Sequence, residues 1–373
     1  MHRILMNFDT PVLSYDFEDM YLEVLNNDLL PYPMKDYIET TGKKDLPGTM
    51  HDINVVREFL ANRTLLLSRE NAKAILNAAV MPQSLRTDDR LKIVDACNGL
   101  TMQDNFWIRK DRDDRTFSDV CLRRIRLSEA SYDIAILGRH ISVTVEDLRP
   151  DLTTIGMFPK FWHRAENGDV EIWKTDRFSG KVHSAAEIEA SEYMLAARAN
   201  ALQYRGEQRD GVLFSVAKCI ADDAHSMVPA QDIRDWCAHT GKVIGKYIEE
   251  RFAKEFANMC VSDYVVANTD RHWENWGFMV DGDNRIVDFI PLYDHNEALI
   301  FDKTPHPNTK FHELPYEPMN VTFNEAIRRM ASYCSVDFGI VKGLPEPCLG
   351  RWRDVDRYIE RAQRSCDDFD IER

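Results

Sequence analysis

The sequence predicts an α+β fold of two lobes, a mixed α/β lobe followed by a mainly helical one, behind a partly helical N-terminal extension. Changes of hydrophobic period and one turn signal predict it. Val170, Ile172 and Lys174 alternate with Glu171 and Trp173 just after Asn167-Gly168, the pattern of a half-buried hairpin strand. From Gln231 onward apolar residues recur every three or four positions, as on amphipathic helices. A shorter helical pattern runs from His51 to Leu100. These shifts divide the chain into an extension over 1–145, a mixed lobe over 146–225 and a helical lobe over 226–373.

The 373 residues are too many for one small core, and 44% hydrophobic with 29% charged residues is a composition that folds throughout. A formal net charge of −15 repels nucleic-acid backbone and anionic lipid, so neither is expected as a partner. Eight cysteines lie scattered without a Cys-x-x-Cys, which fits a reduced compartment. The first residues contain Asp9 where a signal peptide needs an apolar run. No window approaches the ~18 apolar residues of a membrane span. A soluble, cytoplasmic protein is expected.

Along the chain, Met1 to Thr49 has a short apolar stretch, Ile4 to Phe8, followed by Pro31, Pro33 and Gly42, and reads as a small irregular or β-containing unit. The next stripes, Val55, Phe59 and Leu60, then Ala72, Ile75 and Leu76, then Leu91, Val94 and Ala96, are helical. In the mixed lobe Ala185 to Ala201 reads as a helix and Gly211 to Ile220 as a strand. The long helices that follow carry Ile233, Trp236, Val243, Ile244, Tyr247 and Ile248, then Phe252, Phe256, Met259 and Cys260.

The helical run ends in Ala267-Asn268-Thr269-Asp270-Arg271-His272-Trp273-Glu274-Asn275. An Asp followed five residues later by an Asn repeats the spacing of the protein-kinase catalytic loop, where the Asp orients the substrate proton and the Asn holds a metal. Gly277 to Val280 and Arg285 to Ile290 flank the turn cluster Asp281-Gly282-Asp283-Asn284 and predict a hairpin. A hairpin returns the chain to the end it left, so Asn275 and Asp294, on its two legs, should meet. An amide and a carboxylate suit Mg²⁺, which bridges nucleotide phosphates. Asp281-Gly282-Asp283 is no calcium loop, since the glycine spacing and final bidentate Glu are missing.

A phosphate-neutralising Lys on an upstream strand completes such a site, and Lys174 stands there, with Glu187, Glu189 and Glu192 on the next helix as ion partners. Before it lies Thr153-Thr154-Ile155-Gly156-Met157-Phe158-Pro159-Lys160. Gly156 lets backbone N–H groups approach phosphate, and Lys160 adds charge.

Together, Asn268-x-Asp270-x-His272-x-x-Asn275, Tyr293-Asp294 and Thr153-x-x-Gly156-x-x-Pro159-Lys160 resemble the HipA-like serine/threonine kinases of bacterial toxin–antitoxin systems, over Leu152 to Ile300. The resemblance implies a two-lobed protein-kinase-like fold using ATP and Mg²⁺. It makes Asp270 the catalytic base, Asn275 and Asp294 the metal ligands, and Lys174 a phosphate contact. Backbone near Ala217 and Cys219 would form the adenine hinge. Thr153 or Thr154 would be an autophosphorylation site that switches the enzyme off. A protein substrate and a cognate antitoxin or regulator are implied as partners. Leu100 to Ile108 also resembles a segment upstream of the kinase core in some of these proteins, and reads on its own as aromatic packing between domains. The long N-terminal region departs from toxin HipA, so no toxin role is carried over.

The expected activity is therefore phosphoryl transfer from ATP to a Ser or Thr hydroxyl of a protein, itself included. A phosphoinositide-type lipid kinase is the alternative, because Asp270-Arg271-His272-x-x-Asn275 also resembles the motif there. From His295 to His312, however, only Lys303 and Lys310 are basic apart from His, too few for an inositol phosphate headgroup. A non-catalytic nucleotide-binding scaffold is the third reading, against which the complete set of Lys, base and metal-ligand candidates counts.

Overall fold

The computed structural model describes residues 2–38, 50–141, 143–176, 183–300 and 311–336. The extension opens with a four-stranded antiparallel sheet of order β3-β2-β1-β4, built from β1 (Arg3–Asn7), β2 (Thr10–Asp16), β3 (Tyr21–Val24) and β4 (Phe106–Lys110). Helices α1 (Met50–Ala61), α2 (Ala72–Ala78) and α3 (Thr87–Ala96) enter between β3 and β4. The apolar stripes of α1 and α3, with Ile53, Val56, Leu60 and Val94, are buried on Leu5, Leu13 and Ile108 of the sheet. A short helix, α4 (Phe117–Val120), follows.

The segment from Leu100 to Ile108 packs the extension onto the mixed lobe. Leu100, Met102 and Trp107 share a core with Trp162 and Val170, and the indole of Trp107 donates to Phe8 O at 2.7 Å. This is aromatic packing between units, with the polar end of the ring satisfied.

The mixed lobe begins with α5 (Val145–Leu152), started by a capping box between Thr144 and Asp147. Its antiparallel sheet, of order β5-β6-β8-β7, contains β5 (Lys160–Arg164), β6 (Val170–Lys174), β7 (Tyr204–Arg209) and β8 (Val212–Lys218), with α6 (His183–Ala196) between β6 and β7. The predicted hairpin turn is present, and Gly168 at φ +91° supplies the conformation that side chains resist. One face of the sheet buries Phe161, Phe214 and Val216 on α2, α5 and the π-helical turn Tyr132–Ile136, while α6 covers the other face.

The helical lobe contains α7 (Ala230–His239), α8 (Ile244–Val265) and α9 (Phe323–Met330). It also holds a three-stranded sheet in which β10 (Gly277–Val280) pairs with β9 (Ser226–Pro229) and β11 (Ile286–Phe289), and a two-residue pair, β12 (Pro315–Tyr316) with β13 (Val321–Thr322). A Cβ at Gly277 would stand 2.2 Å from Val228 O, so only glycine admits the β9–β10 approach. The end of the predicted helical lobe, 337–373, and the Lys303 and Lys310 of the sequence reading lie outside the described residues.

The extension grips both lobes. Arg123 donates to Met102 O, Asp104 O and Asp222 O, the last in the connection between β8 and β9. Asn284 Nδ2, in the β10–β11 turn, donates to Leu30 O at 2.7 Å. The result is a two-lobed kinase-like fold with an additional unit packed on both lobes.

Candidate active site

Lys174 ends β6, directly opposite Lys160 on β5 and Ser215 on β8. Residues facing each other across an antiparallel pair share one side of the sheet, so both ammonium groups point toward the cleft. Lys174 Nζ lies 2.8 Å from Glu187 Oε1, 2.9 Å from Asp294 Oδ1 and 3.4 Å from Tyr204 OH. Ser215 Oγ donates to the second oxygen of Glu187 at 2.6 Å and fixes that carboxylate. Burial opposes the charge on Lys174, but Asp294 and Glu187 outweigh it and hold the ammonium well above its ordinary value.

Of the three glutamates that the sequence left open as partners, Glu187 is the one the lysine meets. Two residues along a helix is about 200° of rotation, which carries Glu189 off the face that meets β8.

Asp294 follows β11 and Tyr293 with φ +61°, a left-handed conformation uncommon outside glycine and enriched at functional positions. Burial pushes its carboxyl up, but Lys174 and Lys160 pull it down harder and keep it ionised well below the carboxylate range. Asn296 Nδ2 donates to the same Oδ1 at 3.2 Å, while Asn296 Oδ1 is buried without a partner.

The catalytic-loop candidate leaves α8 through Ala267 at φ +51°. Asp270 is exposed at its tip, with Asn275 Nδ2 donating to Asp270 O at 2.5 Å and His272 N donating to Asn275 Oδ1 at 3.0 Å. Partial desolvation raises the Asp270 carboxyl, against the pull of His272, and the Asp294 charge adds to the rise. A carboxylate so raised is a stronger base than a free one.

Arg271, to which the sequence reading gave no role of its own, holds these pieces together. Its side chain and that of Asp263 are both fully buried, Nε and Nη2 each 2.9 Å from a carboxylate oxygen. Nη1 donates to Asn275 O at 2.7 Å and to Tyr293 O at 2.9 Å, so one guanidinium joins both legs of the β10–β11 hairpin. His295 beside it is neutral. Burial, then Arg271, pushes its pKa down to about 3, with Nε2 donating to Leu292 O and Nδ1 facing Arg271.

In the loop before β5, Lys160 Nζ donates to Ile155 O at 3.0 Å and crosses under Gly156, where a Cβ would stand 2.2 Å from that nitrogen. With φ +104° this position favours glycine on both steric and conformational grounds. Burial, with Lys174 alongside, pushes Lys160 down to about 7.

Two of the expected roles fall on groups that packing already engages. Thr153 and Thr154 are buried, and their hydroxyls donate back to Arg149 O and Pro150 O, while Thr154 Oγ1 also accepts from Trp162 Nε1 at 2.7 Å. They finish helix α5 and present no hydroxyl to the cleft. Ala217 is flanked by Ile172 and Tyr204 within the sheet, and Cys219 N–H donates to Val170 O at 2.8 Å. The backbone of Ala217 and the N–H of Cys219 are thus engaged in the sheet.

A lysine between an acidic helix residue and an acidic loop residue, together with an Asp-x4-Asn loop, defines a kinase-like phosphotransferase. The model of the family Phosphatidylinositol 3- and 4-kinase matches residues 144–343, more than half of the chain, and the chain belongs to that family. Among solved structures, HipA of Shewanella oneidensis MR-1, determined in complex with HipB and operator DNA, is similar over 98% of this chain and 97% of its own, at 13% identity and a TM-score of 0.54. CtkA, a proinflammatory kinase of Helicobacter pylori, is similar over 55% of this chain and 90% of its own, at 12% identity and a TM-score of 0.40. No curated protein matches the sequence. The HipA-like reading is thus supported at the level of fold, while the family match is to the group that the sequence reading placed second.

Proposed function

We propose that the protein transfers the γ-phosphoryl group of ATP, with Mg²⁺, to a Ser or Thr hydroxyl of a protein. The observation that carries this is Lys174, held between Glu187 and Asp294 at 2.8 and 2.9 Å. Lys174 and Lys160 would face the nucleotide phosphates, Asp270 would accept the proton of the attacking hydroxyl, and Arg271 would keep the loops in register. The donor set fits Mg²⁺: Asp294 is ionised, Asn275 Oδ1 accepts one hydrogen bond, from His272 N, and keeps a second lone pair, and Asn296 Oδ1 is an unpartnered buried oxygen next to Asp294. Mg²⁺ held there by Asn275 and Asp294 would supply charge neutralisation at the phosphates.

Glu317 and Asp294 carry negative charge close to Asp270, and the amide of Trp273 donates to Glu317. This acidic rim suits a neutral hydroxyl or a basic peptide better than an inositol phosphate. The family match favours a second reading, transfer to an inositol lipid, and the likeness to HipA suggests an antitoxin-like protein regulator. Autophosphorylation at Thr153 or Thr154 would require the 153–158 loop to leave its present packing. No helix among the described residues is long and apolar enough to cross a membrane.

The test is incubation with γ-labelled ATP and Mg²⁺, offering general protein substrates and phosphatidylinositol vesicles in parallel, with label mapped by mass spectrometry. Label on a protein Ser or Thr, absent with Asp270→Ala, is expected. Label on lipid alone would establish the second reading, and none on either would leave a nucleotide-binding scaffold.

A further inference from the structure

Arg69 belongs to the extension, yet its guanidinium bonds the two stems of the loop 153–159. Nη1 donates to Asp151 O at 3.1 Å, and Nη2 donates to Asp151 Oδ1 at 3.3 Å and to Lys160 O at 2.5 Å. Asp151 lies in the last turn of α5 and Lys160 opens β5, so the contacts straddle the loop. Side-chain exposure is 0% for Arg69 and 3% for Asp151, and Ser131 Oγ donates to the remaining Asp151 oxygen. Backbone bonds from the same segment flank the pair: Leu65 N donates to Leu152 O and Glu70 N to Met157 O, both at 2.8 Å.

A buried ion pair is a poor source of net stability, because desolvation cancels much of the Coulombic gain. What a buried arginine adds over an apolar side chain is a rigid fork that fixes two or three acceptors at set distances. Here those acceptors are the ends of the loop that carries Gly156 and leads into Lys160.

We propose that Arg69 is a positioning residue that ties the stems of the loop 153–159 together, so that the Gly156 backbone and Lys160 are held ready for nucleotide phosphates. The inference rests on the proposed nucleotide reading of this loop, and it makes the extension part of the nucleotide site.

The test uses the full chain with Arg69→Met and Asp151→Leu combined, which removes both charges and leaves no unpaired buried ion. Hydrogen exchange of residues 153–159 is measured without nucleotide, and dissociation constants are measured for ATP with Mg²⁺ and for adenosine. The expected result is some loss of melting temperature from the buried polar groups left without a partner, loop exchange faster by roughly tenfold or more, ATP binding weaker by roughly 10- to 100-fold, and unchanged adenosine binding. Arg69→Lys keeps the charge but cannot fork across both stems, so it should show the same split. Native exchange and ATP affinity in both variants would overturn the proposal, as would equal loss of ATP and adenosine. Faster loop exchange in a protein whose wild type binds no ATP would keep the brace and remove the nucleotide reading.

Discussion

Lys174 Nζ lies 2.9 Å from Asp294 Oδ1, an ion pair that joins the last residue of β6 in the mixed lobe to the segment after β11 in the helical lobe. The same ammonium contacts Glu187 on α6, so one charge links the sheet, the helix above it and the loop after β11. Few side chains report on the relative placement of three elements so directly.

Replacing Lys174 by Met should lower phosphoryl transfer by about 10²- to 10³-fold, the usual cost of removing one preorganised electrostatic group. Glu187→Gln should lower it by roughly tenfold, because the neutral amide still accepts from Lys174 but no longer anchors its charge. Glu189→Gln should be near native. Steady-state rates for the three variants check the pairing, and equal losses for Glu187→Gln and Glu189→Gln would contradict it.

Asp270→Ala and Asp294→Ala should each lower turnover by at least about 10²- to 10⁴-fold, the range for losing a positioned proton acceptor or charge. The fold should survive. Asp270 is exposed, and Lys174 keeps Glu187 when Asp294 is removed. Far-UV circular dichroism and a melting curve beside the rate assay separate lost chemistry from lost structure.

Much of this site was legible because its chemistry is local. Asp270 and Asn275 share one loop, and the alternation around Lys174 and the turn residues 281–284 mark hairpins whatever surrounds them. The choice between Glu187 and Glu189 was readable too: His183, Ala186, Ala190 and Met194 trace the buried stripe of α6, and Glu187 lies on it. What periodicity does not carry is long-range pairing. Asp263 reads as an ordinary polar position of α8, and nothing in its neighbours announces that Arg271, Asn268 and Tyr316 converge on it. Arg69 is equally silent, because its partners are more than 80 residues away. The Thr153-Thr154 pair misled for the opposite reason. Hydroxyls at a helix end serve backbone carbonyls as readily as they accept phosphate, and only burial distinguishes the two.

Arg271→Met should cost about 3–5 kcal/mol of stability, since it strands the Asp263 carboxylate in the core. The loss of donors to Asn275 O and Tyr293 O should loosen both legs of the hairpin and reduce activity even well below the melting transition. Denaturant titration gives the first quantity. A variant as stable and as active as wild type would show that the clamp is incidental.

Lys160 supplies a prediction whose sign follows from its surroundings. Burial, then the neighbouring Lys174, lowers its ammonium from the ordinary 10.5 to about 7 in the folded chain. Between those values the unfolded chain holds a proton that the native protein has released, so the unfolded state binds more protons and native stability rises with pH across that window. Below about pH 7 both states are protonated and the penalty of burying the charge is complete. Lys160→Met removes the titrating group, so the melting temperature of wild type should gain on that of the variant between pH 7 and 10. Nucleotide phosphates placed beside Lys160 would favour the ammonium again. Binding of ATP at pH 8 should therefore take up a proton, up to about one per site, seen as a binding enthalpy that changes with the ionisation heat of the buffer. Lys160→Met should bind without that uptake. Parallel stability curves for the two proteins would show that Lys160 keeps its ordinary protonation, and buffer-independent heats in wild type would place it away from the phosphates.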